Sequence, residues 1–251
     1  MSRLAPWVSP LLIVVAWAGA YEVGLLDPRV LPSPVEVVRS GVALARDGVL
    51  LPALGTSLVR VVVGTAIGVA LGLALGLASG YSRLGELVVD RPLQMLRAVP
   101  FNALLPLFVI AFGVGETMKV LLIAAGVLVP IYLNTAAGIR QVDPRLVEVA
   151  RVYRFSRPVV AYRVLLLGAL PSVLTGLRFA LAIAWIALVT SELVNTTSGL
   201  GFVLTQAQRF VRPEQVVLCI VLYALLGVLT DALVRLLEGR LLVWQPVLAR
   251  R

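Results

Sequence analysis

Leu58-Val59-Arg60-Val61-Val62-Val63-Gly64-Thr65-Ala66-Ile67-Gly68-Val69-Ala70-Leu71-Gly72-Leu73-Ala74-Leu75-Gly76-Leu77-Ala78-Ser79-Gly80 is almost wholly apolar and long enough to cross a bilayer as one helix. Its glycines at 64, 68, 72, 76 and 80 recur in steps of four, so they fall along a single helical ridge. Such a ridge lets another backbone approach closely, which is how helices associate when lipid supplies no hydrophobic drive between them. We read it as a packing surface in preference to a solute contact.

The rest of the chain agrees with lipid as its solvent. Of 251 residues, 60% are hydrophobic and 14% charged, and the mean hydropathy is +0.99. A soluble domain carries about 25% charged residues. The net charge of +9 rests on arginines, with Lys119 the only lysine. They lie between apolar stretches, the pattern of membrane-protein loops, and form no basic face for nucleic acid. There is no histidine to serve as a general base or metal ligand. Cys219 is the only cysteine and sits in an apolar helix, which suits a buried thiol and excludes an internal disulfide. No G-x-x-x-x-G-K-[ST] pattern occurs, and Gly115-Glu116-Thr117-Met118-Lys119 does not fit its spacing. The chain is expected to hold no cofactor, metal or catalytic residue. Any ATP that drives it is bound by another chain.

The fold expected is an all-α integral membrane protein with spans at about 7–24, 57–80, 88–113, 117–137, 167–194 and 215–238. The first apolar stretch follows Ser2-Arg3 and has a signal peptide's length, but no small-x-small site with a polar mature domain follows, so it reads as a retained helix. The proline-rich segment Asp27–Pro34 ends it. Val35–Leu51 is amphipathic and reads as a helix near the membrane surface. The third span is interrupted around Pro100, Pro130 kinks the fourth, and Asn195–Gly201 with the mixed segment to Glu214 joins the last two. With both termini inside, Arg3, Arg83, Arg91, Arg97, Arg140, Arg145, Arg151, Arg154, Arg157, Arg163, Arg235, Arg240, Arg250 and Arg251 are cytoplasmic. Arg29, Arg39, Arg46, Arg60, Lys119, Arg209 and Arg212 lie opposite, and Arg178 is in the membrane. This asymmetry orients the chain.

The longest polar stretch, 140–163, contains Asp143-Pro144-Arg145-Leu146-Val147-Glu148-Val149-Ala150-Arg151-Val152-Tyr153-Arg154-Phe155-Ser156-Arg157-Pro158. Asp143 can cap a helix that begins at Pro144, and Ser156 or Arg157 before Pro158 repeats the start signal. The segment is a short helix, a turn and a second helix. Leu146, Val149, Ala150 and Tyr153 give a small apolar face among arginines, suited either to docking in a partner's groove or to a solvated loop.

This loop resembles the EAA motif of ABC-importer permeases, with Glu148 and Ala150 at its acidic and alanine positions. Further stretches resemble the nitrate/sulfonate/taurine branch of that family: Val30–Pro34, Leu96–Pro100, Phe112–Glu116, Asn134–Gly138, Leu170–Arg178 and Ser198–Gly201. Arg154 stands where the motif has glycine, implying a longer first helix or a different turn, and Leu167 stands where proline is common. The resemblance implies a type I importer in a bacterial plasma membrane. It would contain two copies of this permease, two ATP-binding subunits holding ATP and Mg, and an extracytoplasmic binding protein. Arg145, Glu148, Ala150, Arg151, Tyr153, Ser156 and Arg157 would form the joint with the ATPase. Closure of the ATPase dimer on ATP would then shift the bundle between inward- and outward-facing states.

Polar groups within spans are the pathway candidates: Asn134, Arg178, Thr190 and Glu192, with Asp231 beside them. Arg178 could meet an anion or pair with Glu86 or Asp90, and pairing is preferred. Glu192 and Asp231 are expected at the interface. An aliphatic sulfonate is the expected solute, with taurine, nitrate or a small heterocyclic vitamin or precursor as alternatives. An ion-coupled secondary transporter would require inverted repeats and paired mid-depth acids, which do not stand out.

Overall fold

The computed structural model describes residues 5–27, 29–100, 103–194 and 196–244. Arg3, Pro28, Asn195, Arg250 and Arg251, which entered the readings above, lie outside the described residues. In chain order the elements are α1 (Ala5–Glu22), α2 (Pro34–Arg46), α3 (Leu50–Tyr81), α4 (Arg83–Gly85), a π-helical turn (Glu86–Asp90), α5 (Arg91–Ala98) and α6 (Leu104–Phe112). Then follow α7 (Glu116–Arg140), α8 (Pro144–Val152), α9 (Arg157–Val159), a π-helical segment (Val160–Leu166), α10 (Leu170–Glu192), α11 (Leu200–Arg209) and α12 (Pro213–Leu241). All regular structure among the described residues is helical.

Four described helices, α3, α7, α10 and α12, are long and apolar enough to cross a membrane. The other two expected spans correspond to α1, whose apolar part is Val8–Glu22, and to α5 with α6. That pair breaks because Val99, preceding Pro100, is extended at φ −75° and ψ 125°. The mixed segment expected after Asn195–Gly201 forms α11.

The chain divides into two compact units. One comprises Met1–Ser57 with Asn195–Leu225, and the other Leu58–Val194 with Leu226–Arg251. In the first, the amphipathic stretch folds as α2 and the start of α3, separated at Gly48, whose φ of +71° suits glycine. Ser33 and Glu36 form a capping box at the start of α2. The Ser33 hydroxyl accepts from the Glu36 N–H at 3.2 Å, and the Ser33 N–H donates to Glu36 Oε2 at 2.8 Å. The backbone donor of Ser33, helped by its hydroxyl, holds the Glu36 carboxyl below its ordinary range. The Leu200 N–H donates to Ser57 Oγ at 2.9 Å, and Cys219 is fully buried.

In the second unit the glycine ridge of α3 meets α7 in regular succession. Gly64 faces Ile123, Gly68 faces Val127, Gly72 faces Ile131, Gly76 faces Thr135 and Gly80 faces Ile139. Both numbers rise together, so the two helices run parallel. Gly138 against Ser172 and Gly176 against Asn134 set α10 antiparallel to α7. A Cβ at any of these seven glycines would fall 2.6–2.8 Å from a neighbouring heavy atom. Gly68→Leu is therefore expected to force α3 off α7 at a cost of about 1–3 kcal/mol. Thermal unfolding in detergent should register the loss, with no loss for Gly227→Ala, where an added Cβ meets nothing within 4 Å and alanine favours the helix.

Candidate functional site

At one end of the α3–α7–α10 bundle, Ile139, Leu165, Ala169 and Val173 form a buried cluster. Leu73 and Leu77 of α3 and Val147 of α8 pack against it. This anchors α8 to the helices that would have to move. The Asp143 carboxylate accepts from the Arg145 N–H at 2.9 Å with Pro144 in the first turn, so the helix starts where its cap and proline dictate. Of the residues expected at the ATPase joint, Arg145, Glu148, Arg151, Tyr153, Ser156 and Arg157 are exposed. Ala150 is buried and borders the same side of α8 as Val149 and Tyr153. Leu146, Val149, Tyr153 (73% exposed) and Phe155 line an apolar recess of about 510 Å³ together with Leu167 and Trp244. Ser156 occupies the start of α9 in extended geometry, but its hydroxyl makes no capping bond.

The turn after α8 retains the geometry glycine would give. The Phe155 N–H bonds the Ala150 carbonyl at 3.0 Å and the Arg154 N–H bonds the Arg151 carbonyl at 2.9 Å, with Arg154 at φ +54°. Neither expected alternative occurs: α8 is not longer, and the turn is of the same kind. Gly24 and Gly48 close α1 and α2 by the same bond pattern, and Val211, at φ +51°, closes α11 by it. An L side chain in that region costs about 1–2 kcal/mol. Arg154→Gly is expected to raise the unfolding midpoint of the protein by up to that amount and to leave ATPase stimulation intact. A lowered midpoint would show that the arginine side chain holds the turn.

At the opposite end of the same bundle lies a charge cluster that sequence reading dispersed. Arg60 of α3, counted above as an external loop residue, is 2% exposed. Its Nε donates to Glu116 Oε2 at 2.6 Å, its Nη2 to Glu116 Oε1, and its Nη1 to Glu192 Oε1 at 2.6 Å. Lys119 Nζ lies 3.1 Å from Glu116 Oε1. Glu192, expected at an interface, is fully buried, whereas the Glu116 side chain is 61% exposed. One guanidinium thus ties together the start of α7, the end of α10 and the third turn of α3. The signal in the sequence is that each helix carries an ionisable group near the same end: Arg60 in α3, Glu116 and Lys119 in α7, and Glu192 in α10.

The other candidates have local partners. Arg178 pairs neither with Glu86 nor with Asp90. Its Nε is 3.2 Å from Asp231 Oδ1 and its Nη2 donates to Glu238 Oε2 at 2.7 Å, both on α12. Glu86 and Asp90 instead face Arg140 at 3.6 and 3.7 Å, and the Tyr132 hydroxyl donates to Asp90 at 2.6 Å. Asn134 Nδ2 donates to the Pro130 carbonyl at 2.8 Å, and the Thr190 hydroxyl donates to the Ile186 carbonyl at 2.8 Å. Of the four pathway candidates, Arg178 borders a recess with Trp185 and Asp231 that the other three do not line among the described residues.

The architecture defines a class: a multi-pass, all-helical membrane subunit that presents an exposed helical loop. Residues 49–243 match the family described as binding-protein-dependent transport system inner membrane component, and the chain belongs to that family. It is 46% identical to the aliphatic sulfonates transport permease protein SsuC of Escherichia coli K12, over 97% of this chain and 93% of that one. It is 42% identical to the SsuC of Bacillus subtilis 168, over 94% of this chain and 86% of the relative. The taurine transport system permease protein TauC of E. coli K12 is 35% identical over 93% of this chain and 86% of its own length. Among solved structures, an amino acid ABC transporter shares the fold with a TM-score of 0.62 at 20% identity, covering 79% of this chain and 96% of that chain. The chain is accordingly a non-catalytic permease component of an ABC importer.

Proposed function

We propose that this permease carries aliphatic sulfonates inward, delivered by an extracytoplasmic binding protein and driven by ATP and Mg bound on two separate ATPase subunits. The observation that carries the reading is the 46% identity to an aliphatic sulfonate permease across nearly the whole of both chains. Identity to the taurine permease is lower, at 35%, so taurine ranks second and nitrate behind it. The permease acts as two copies, with its termini and the Asp143–Pro158 loop on the cytoplasmic side. The exposed residues Arg145, Glu148, Arg151, Tyr153, Ser156 and Arg157 meet the ATPase, while Ala150 lies buried on α8. Burial of Val147 in the bundle-end cluster supports this role, because a push on α8 is then delivered to α3, α7 and α10. Asn134, Thr190 and the ion pairs of Arg178 and Glu192 hold pathway helices in register rather than gripping the solute. The test is growth of a bacterium stripped of its own sulfonate uptake and supplied with this chain and its neighbouring ATPase and binding protein. Growth on ethanesulfonate as sole sulfur source supports the reading; growth restored by taurine alone would transfer it to taurine.

A further inference from the structure

Arginines on lipid-spanning helices are costly and are kept where they find a partner or a polar solute. Arg60, Lys119, Arg140 and Arg178, spread along α3, α7 and α10, each have carboxylate partners within 4 Å. Arg97 differs. It ends α5 just before the break at Val99-Pro100, is exposed, and makes no ion pair or hydrogen bond among the described residues. It borders a recess of about 130 Å³ whose other walls include Leu96, Val99, Leu104, Gly126, Val129 and Ile183.

Those walls fix its depth. Gly126 is about 15 Å along α7 from Glu116 and about 21 Å from Arg140, at 1.5 Å per residue. Ile183 is likewise near the middle of α10. Arg97 therefore leaves the cytoplasmic set in which the charge count placed it and stands halfway through the bundle. The arginine asymmetry between the two sides survives its removal and that of the buried Arg60.

A guanidinium at mid-depth with no partner among the described residues, beside an apolar hollow, complements a small molecule with an anionic head and a short alkyl tail. We infer that Arg97 is an anion-contact residue of the translocation pathway, taking the sulfonate oxygens while the recess walled by Val99, Gly126, Val129 and Ile183 receives the alkyl chain. The ligand class rests on the sulfonate reading above; the placement of Arg97 in an aqueous pathway does not. A guanidinium offers paired donors to an oxyanion, so lysine would replace its charge but not its fork.

The test uses the complete transporter in proteoliposomes, with two arms. In the first, Arg97→Gln should lower ATP-driven ethanesulfonate uptake at least tenfold while binding-protein-stimulated ATP hydrolysis persists, and Arg97→Lys should recover part of the uptake. Unchanged uptake by Arg97→Gln would overturn the inference. In the second, Arg97→Cys in a Cys219→Ser background should react with a charged, membrane-impermeant methanethiosulfonate reagent during turnover. Failure to react would place residue 97 against lipid or protein and would also overturn it. If the unaltered transporter imports no sulfonate, the substrate reading fails on its own, and the labelling arm still decides where Arg97 stands.

Discussion

Arg60→Met is expected to lower the unfolding midpoint of the purified permease sharply, with a loss of about 3–5 kcal/mol, the range for removing one partner of a buried ion pair. The magnitude follows from what remains. Glu192 is fully buried and loses the guanidinium that approaches it at 2.6 Å. Glu116 can turn to water and to Lys119, so its loss weighs less. Replacing both buried partners, Arg60→Met with Glu192→Met, should recover much of the stability, because two apolar side chains in place of a pair cost far less than a buried carboxylate that has lost its guanidinium. Thermal unfolding of the wild type and both variants in one detergent measures both effects. A double variant no more stable than Arg60→Met would mean that packing, rather than the stranded carboxylate, accounts for the loss.

Glu148→Lys is expected to abolish stable association with the ATPase while the spanning helices remain folded. Glu148 is exposed midway along α8 and is the carboxylate among Arg145, Arg151, Arg154 and Arg157. A partner groove that accepts this face must tolerate several guanidinium groups and one negative charge. Reversing that charge removes an attraction and adds a repulsion, and charge changes at the centre of an interface cost about 2–5 kcal/mol. At 1.4 kcal/mol per decade this weakens binding by roughly 30- to 3,000-fold. Co-purification and permease-stimulated ATP hydrolysis should both vanish with the unfolding midpoint unchanged. Retention of both would remove α8 from the joint.

These two sites differ in how far the sequence reveals them, and the reason is range. The start of α8 is legible because Asp143, Pro144 and the Arg145 N–H are adjacent. The glycine ridge is legible as a packing face because a period of four needs only one helix, although its partner, α7, is not. The Arg60 cluster joins residues 56 and 132 positions apart, and hydropathy does not say how each helix is rotated about its axis. The same ignorance of rotation assigned Arg178 to Glu86 or Asp90, when its side of α10 faces Asp231 and Glu238. Arg97 was misplaced for another reason. It falls inside the expected third span, 88–113, yet the charge count set it on the cytoplasmic side, while the structure puts the break, and the arginine with it, beside the middle of α7. At Arg154 the motif led to an expectation of altered geometry, yet the bond pattern of the turn is kept and the backbone takes a left-handed value.

On the proposed function, this chain is a passive path moved by an ATPase bound at its loop. Purified permease in proteoliposomes, with its ATPase and binding protein, should accumulate labelled ethanesulfonate only when ATP is present on the ATPase side, and omission of any one partner should stop uptake. Uptake by the permease alone, driven by an ion gradient without nucleotide, would contradict that role.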